Sequence, residues 1–174
     1  AAPAALVAPE VVAVAQEADL FVLNLECCIS ERGEPWPAPG KSFFFRAPPE
    51  AVDVLTLLGV DCVTLANNHA LDYGVVALFD TLTHLEAAGI ACAGAGRDVE
   101  RARAPTMLEA DDYRLAVIGV TDHPSDFAAS TGQPGVAWAD LHGGAPDWLR
   151  ERIGAAASAV PRSLGASGVL VTPH

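Results

Sequence analysis

Residues 60–94 read VDCVTLANNHALDYGVVALFDTLTHLEAAGIACAG. The first seven are an apolar, β-rich run, and they stop on Asn67, Asn68 and His69. From Tyr73 to Ala88 the apolar residues change period. Val75, Leu78, Phe79, Leu82 and Leu85 fall on one face of a helix, and Gly89 closes it. A second short apolar run, 90–94, follows. Strand, helix and strand in this order predict two neighbouring parallel strands with the helix crossing over one face.

Working outward, the same alternation recurs. Residues 19–25, DLFVLNL, read as a buried strand, preceded by a short helix over 6–18. The segment SERGEPWPAPGK is a Pro- and Gly-rich loop, and FFFRAPP leads out of it into a helix that ends at Gly59. Past residue 94, a helical turn ends at Pro105, and TMLEADDYRLAVIGVT reads as two strands joined at an Asp-Asp turn. Residues 121–144 read as a long loop, APDWLRERIGAAASAV as a helix and SGVLVTPH as a last strand. The expectation is one α/β domain over 1–174, with a mostly parallel sheet and helices on its faces.

Acidic residues outnumber basic ones 22 to 10, for a net charge of −12. That excludes nucleic acid and anionic membrane surfaces as partners, because both require a basic face. No apolar run reaches the length of a membrane span, and the alanine-rich start lacks the basic head of a signal peptide. Cys27, Cys28, Cys62 and Cys92 show no C-x-x-C spacing, so they read as small buried hydrophobes and lean towards a reducing, cytoplasmic compartment.

Ligands of open parallel sheets bind beyond the carboxyl ends of the strands. Three predicted strands end on residues able to bind metal: Asn24 and Glu26, then Asn67, Asn68 and His69, then His174. On parallel neighbours they share one rim. Their mixed oxygen and nitrogen donors suit manganese, iron or zinc. Two such ions would clamp a phosphate and activate a water, with an unbound histidine protonating the leaving oxygen. A plainer reading makes Asn-Asn-His a helix cap with Asp72 as N-cap, so that Asn68→Ala costs about 0.5–2 kcal/mol with no metal dependence. Lys41, the only lysine, and Arg46 are candidates for holding an anionic group, or are ordinary surface cations. GAGRD at 94–98 lacks the third glycine of a dinucleotide loop. His84 reads as exposed, and His123 and His142 lie in the long loop with no role assigned, although TDHPSD could reach the rim.

ADLFVLNLE, FRAPPEAVDVLTLLGVDCVTLANNHALDYG and GIACAGAGRDVERARAP together resemble the bacterial capsule-synthesis CapA family, also called PGA-cap and linked to poly-γ-glutamate synthesis. The resemblance implies a metallophosphoesterase-like β-sandwich flanked by helices, incomplete at both ends, with a dinuclear metal site at the strand ends. By position, it makes Glu26 the acid that bridges the metals, Asn68 the amide ligand, His69 the general acid and His174 a further ligand. The family's opening Gly-Asp strand and closing Gly-His-x-x-His segment are not in this sequence, so these residues alone cannot complete a two-metal site. The resemblance implies a hydrolase acting on a phosphoester or anionic polymer, or else a non-catalytic component of the polyglutamate synthesis or export machinery. Relatives of this kind are often anchored or exported.

Overall fold

The computed structural model describes residues 2–37, 39–111, 113–159 and 167–174. The strand–helix–strand unit forms as the sequence predicts. Strand β4 (Cys62–Thr64) leads into helix α3 (Gly74–Ala87), which returns to β5 (Ala91–Ala93), parallel to β4. Leu78 and Leu85 of α3 are fully buried against Val63 and Leu65. Gly89, at φ 73°, ends the helix in the left-handed region that a side chain disfavours. Strand β1 (Val22–Asn24) pairs with β4 on its other side, also parallel, giving the order β1-β4-β5.

The expected single sheet is instead two three-stranded sheets and two small ribbons. Hairpin β7 (Thr106–Ala110) and β8 (Tyr113–Val120) pairs as predicted, though Asp112 of its turn lies outside the described residues. It joins β10 (Ser167–Pro173), parallel to β8, in a second sheet. The two sheets pack through Cys62, Ala93 and Val22 on one side and Leu108, Val117 and Leu170 on the other. The division occurs at Gly94. Its φ of +84° turns the chain away, and Ala95–Gly96 (β6) pairs with Gly135–Val136 (β9) in a separate ribbon. The Gly-Ala-Gly run is therefore a turn between sheets. Asp98 then caps helix α4 (Val99–Ala102) by accepting from the backbone N–H of Arg101.

Other boundaries differ for physical reasons. The first helix, α1, is only Pro9–Gln16, because Pro3 and Pro9 divide the segment into a 3-10 turn and a short α-helix. No residue of α1 is buried, and Val11 and Val14 are exposed. The run 19–25 contributes three paired residues, since Asp61 Oδ2 accepts from Phe21 N and the ladder begins beyond it. Across the Pro-rich loop, β2 (Cys28–Ile29) pairs in parallel with β3 (Arg46–Ala47), which the sequence pattern does not suggest. Helix α2 (Val52–Leu58) ends at Gly59 as expected, and α5 spans Asp147–Ala159. The long loop 121–144 is ordered: it contains β9 and buries Phe127, which meets Trp36 edge-on at 5.1 Å. No helix among the described residues is long and apolar enough to cross a membrane.

Two predictions follow from this packing. A methyl built on Gly119 lies 3.0 Å from Gly94 Cα and 3.3 Å from the Ala66 side chain. Gly119→Ala is expected to lower stability by about 1–3 kcal/mol in urea unfolding. Gly154→Ala, on an open face of α5, is expected to raise it by about 0.5–1 kcal/mol. Separately, Arg32 grips the Asp80 carboxylate through two nitrogens, and Ser30 Oγ donates to it at 2.7 Å. The hydrogen bonds from Arg32 hold the Asp80 carboxyl at about 2, below its ordinary 3.8. A lowered carboxyl stabilises the fold above its unfolded value and loses that contribution as pH falls towards the folded one. Wild type should therefore lose stability relative to Asp80→Asn between about pH 4 and pH 2, as read by denaturant midpoints across that range.

Candidate active site at the strand ends

Strands β1 and β4 end side by side, and β10 reaches the same place from the second sheet. The last residue of β1, Asn24, donates from Nδ2 to Glu26 Oε1 at 2.8 Å. His174, just past β10, donates through its backbone to Val120 O and places Nε2 3.2 Å from the same Glu26 oxygen. An acid, an imidazole and an amide therefore meet at one point, although their strands belong to two sheets. Glu26 and Asn24 are exposed, which leaves the cluster open to solvent. The Asn24 Oδ1 atom already accepts from Asn67 Nδ2 at 2.9 Å and Thr64 Oγ1 at 3.3 Å, so Asn24 chiefly holds Glu26 in place.

The two asparagines of the turn do different things. Asn67 is fully buried and acts as a brace. Its Nδ2 donates to Asn24 Oδ1 and to Leu25 O, and its Oδ1 accepts from His69 N at 3.0 Å. Asn68 is half-buried, and its side-chain amide makes no hydrogen bond among the described residues. It is the asparagine left available for a ligand. The helix-cap reading fails on geometry: the N-cap of α3 is Tyr73, with no side-chain cap bond.

Asp72 instead faces inward. Its Oδ2 lies 2.7 Å from His69 Nδ1 and accepts from Phe45 N at 2.6 Å. Lys41 Nζ stands 2.9 Å from Oδ1 as an ion pair, off the line of a hydrogen bond, and donates instead to Asn68 O at 2.6 Å. Phe45 covers His69, with ring centroids 4.3 Å apart. His69 thus has one nitrogen fixed by a carboxylate, a backbone N–H fixed by Asn67, and one face shielded by an aromatic ring. Arg46 is exposed and lies over the Tyr73 ring at 4.1 Å, one residue along from Asp72. Asp72 and Phe45 are functional candidates that sequence reasoning missed, and Asn67, read from sequence as a possible metal donor, is instead a brace with its amide engaged. The available signal was the His69–Asp72 spacing of three, which fits a hydrogen-bonded pair within one turn as well as a cap.

The neighbours narrow the chemistry. The His123 ring lies 5.4 Å from that of His174, and its Nδ1 is 2.6 Å from Asp122 Oδ1. That hydrogen bond holds the Asp122 carboxyl below the usual range. Burial pushes the Cys27 thiol up to about 11 and Cys62 to about 12, and raises Cys28 and Cys92 as well. All four cysteines are free, and these thiols stay protonated and inert near neutral pH. Among the described residues, no three His, Cys, Asp or Glu side chains cluster closely enough to hold a metal ion. Glu26 and His174 are a suitable pair of donor types, but they do not make a complete cage.

Two parallel strands ending on an acid and an Asn-Asn-His turn, met by a histidine from a second sheet, define a strand-end site of mixed donors. Residues 4–174 match the family described as bacterial capsule synthesis protein PGA_cap, and the chain belongs to that family. It is 36% identical over 123 residues to a "Probable polyglutamine synthesis accessory protein" of Mycobacterium tuberculosis, covering 68% of this chain and 32% of the relative. It is 32% identical over 102 residues to the "PGA biosynthesis protein CapA" of Bacillus subtilis, covering 58% and 27%. With the "Capsule biosynthesis protein CapA" of Bacillus anthracis it shares 28% over 135 residues, covering 77% and 31%. The chain spans about a quarter to a third of the length of the curated relatives it matches.

The different burial of the two asparagines is directly testable. Asn67→Ala strands buried partners and should cost about 1–3 kcal/mol. Asn68→Ala should stay within about 0.5 kcal/mol of wild type, as for an ordinary surface change. Chemical denaturation of both variants reads the difference.

Proposed function

We propose that this chain is a CapA-like part of the capsule or poly-γ-glutamate biosynthetic apparatus and carries part of a metal-dependent, phosphoesterase-type hydrolase site. The observation that supports this most is the 3.2 Å approach of His174 Nε2 to Glu26 Oε1, next to the Asn-Asn-His turn. On this reading the two packed sheets are a metallophosphoesterase-like sandwich. Glu26, His174 and Asn68, with Asn24 beside them, would hold divalent manganese, iron or zinc. The donor types fit such an ion. Their number does not complete two coordination shells, so further ligands must come from outside the described residues.

A bound ion of this kind supplies Lewis-acid polarisation and an activated water. The residues of this chain supply the rest. Asp72 fixes Nδ1 of His69, which leaves Nε2 as the nitrogen that passes a proton to the leaving oxygen. Phe45 keeps water off one face of that ring. The exposed guanidinium of Arg46 offers paired donors to an anionic polymer or phosphoester. Lys41 was the other candidate for that task, but its ammonium is turned towards Asp72 and Asn68.

A second reading, a non-catalytic binding or scaffold component, is favoured by the names of the relatives, which describe synthesis and accessory proteins. One experiment separates the two. Full-length protein supplied with manganese, iron or zinc is assayed for bound metal by elemental analysis and for phosphoester hydrolysis. His69→Ala should lower kcat by about 10²–10⁴-fold while metal content stays unchanged. Asn68→Ala should lose metal. Wild type that binds no metal and turns over no phosphoester would rule out the hydrolase reading in favour of the scaffold.

A further inference from the structure

The loop from Pro39 to Phe45 is fastened to the Asn-Asn-His turn at both of its ends. At one end, Lys41 Nζ donates to Asn68 O at 2.6 Å and pairs with Asp72 Oδ1 at 2.9 Å. At the other, Phe45 N donates to Asp72 Oδ2 at 2.6 Å. The Asp72 side chain is fully buried, and that of Lys41 is only 15% exposed. Phe44 and Phe127 stand around the ammonium, with ring centroids 5.7 and 5.5 Å away. An ammonium so enclosed is poorly placed to meet an incoming anion. It is well placed to neutralise a carboxylate that has no water.

We infer that Lys41 is the positioning residue of this site, acting through Asp72 and Asn68 rather than on the substrate. One cation reaches both halves of the arrangement. Through the Asn68 carbonyl it fixes the backbone that presents the available amide. Through the Asp72 carboxylate it fixes the partner of His69. Without it, Asp72 keeps only two of its contacts, to Phe45 N and His69 Nδ1. The loop then loses its first fastening, and the Phe45 ring over His69 is held from one end only. The charge matters as well as the hydrogen bond, because the Asp72 contact is an ion pair off the hydrogen-bond line. A neutral donor at position 41 would replace only the bond to Asn68.

The consequence for turnover rests on the hydrolase reading, but the arrangement of His69 does not. The test therefore uses two readouts on the full-length protein. The first is the downfield proton resonance of the carboxylate-bound imidazole N–H, assigned by its loss in His69→Gln. The second is phosphoester turnover with metal supplied. Lys41→Arg is expected to keep both. Lys41→Gln is expected to broaden or lose the resonance and to lower kcat by about 10–100-fold with KM little changed. Lys41→Gln with the wild-type resonance would overturn the inference, and wild-type kcat in that variant would overturn its catalytic part. If Lys41→Gln does not fold, Lys41→Ala with added ethylammonium decides: return of the resonance supports the role, and no return in a folded protein overturns it. Wild type without turnover would sink the hydrolase reading alone, and the resonance would still judge Lys41.

Discussion

A carboxylate with no access to water lies beneath the Asn-Asn-His turn, and much of the surrounding chain is arranged to satisfy it. Removing an ionised group from water costs far more than a single hydrogen bond returns, so Asp72 requires several partners at once. It has the His69 imidazole, the Phe45 backbone and the Lys41 ammonium. These partners come from two separate segments, so satisfying one side chain brings the 39–45 loop onto the turn. The 31–37 loop follows, with Trp36 N donating to Asp72 O at 2.8 Å. Gly33 packs there so closely that a Cβ would lie 2.0 Å from the Tyr73 carbonyl oxygen.

The second organising feature is the division of labour between Asn67 and Asn68. Adjacent residues in an extended segment project in opposite directions, and the turn after β4 keeps that contrast. Asn67 points into the protein and connects β1, β4 and the His69 backbone, while Asn68 leaves its amide unengaged. A buried amide that makes all its bonds is rigid, and it gives its neighbour a fixed place from which to act. This is how a site can stand at the end of a three-residue strand without relying on a long one.

How much of this the sequence discloses depends on whether the determining contacts are local. The unit from 60 to 94 is legible because its period changes from strand to helix and back within one stretch. The β7–β8 hairpin and β10 are legible for the same reason. The β2–β3 ribbon is not: each strand has two residues, and a Pro-rich loop separates them, so no periodicity can show. Phe127 is hidden in a polar loop, yet it fills the core beside Trp36. At the site, Glu26, Asn68, His69 and His174 stand out because their residue types suit the chemistry and each follows a strand. Glu26 and the Asn-Asn-His turn do follow parallel neighbours in one sheet as expected, and only His174 arrives from the other sheet, where it still meets Glu26. Asp72 was misread because an acid just before a helix looks like a cap, and only the inward fold of the turn shows otherwise.

The contact between the sheets carries a further consequence. Where β5 ends and β8 runs past, Gly94 and Gly119 approach so closely that neither has room for a methyl. Backbone therefore rests on backbone there, a few residues from both the Asn-Asn-His turn and the end of β8 that pairs with His174. A spacing set by main chain does not change when side chains elsewhere in the interior are exchanged. An exchange among the apolar residues that glue the sheets together would thus leave the place where an imidazole meets its carboxylate defined by backbone. In that sense the two glycines act as a gauge block: they fix a length that the variable core is then free to fill.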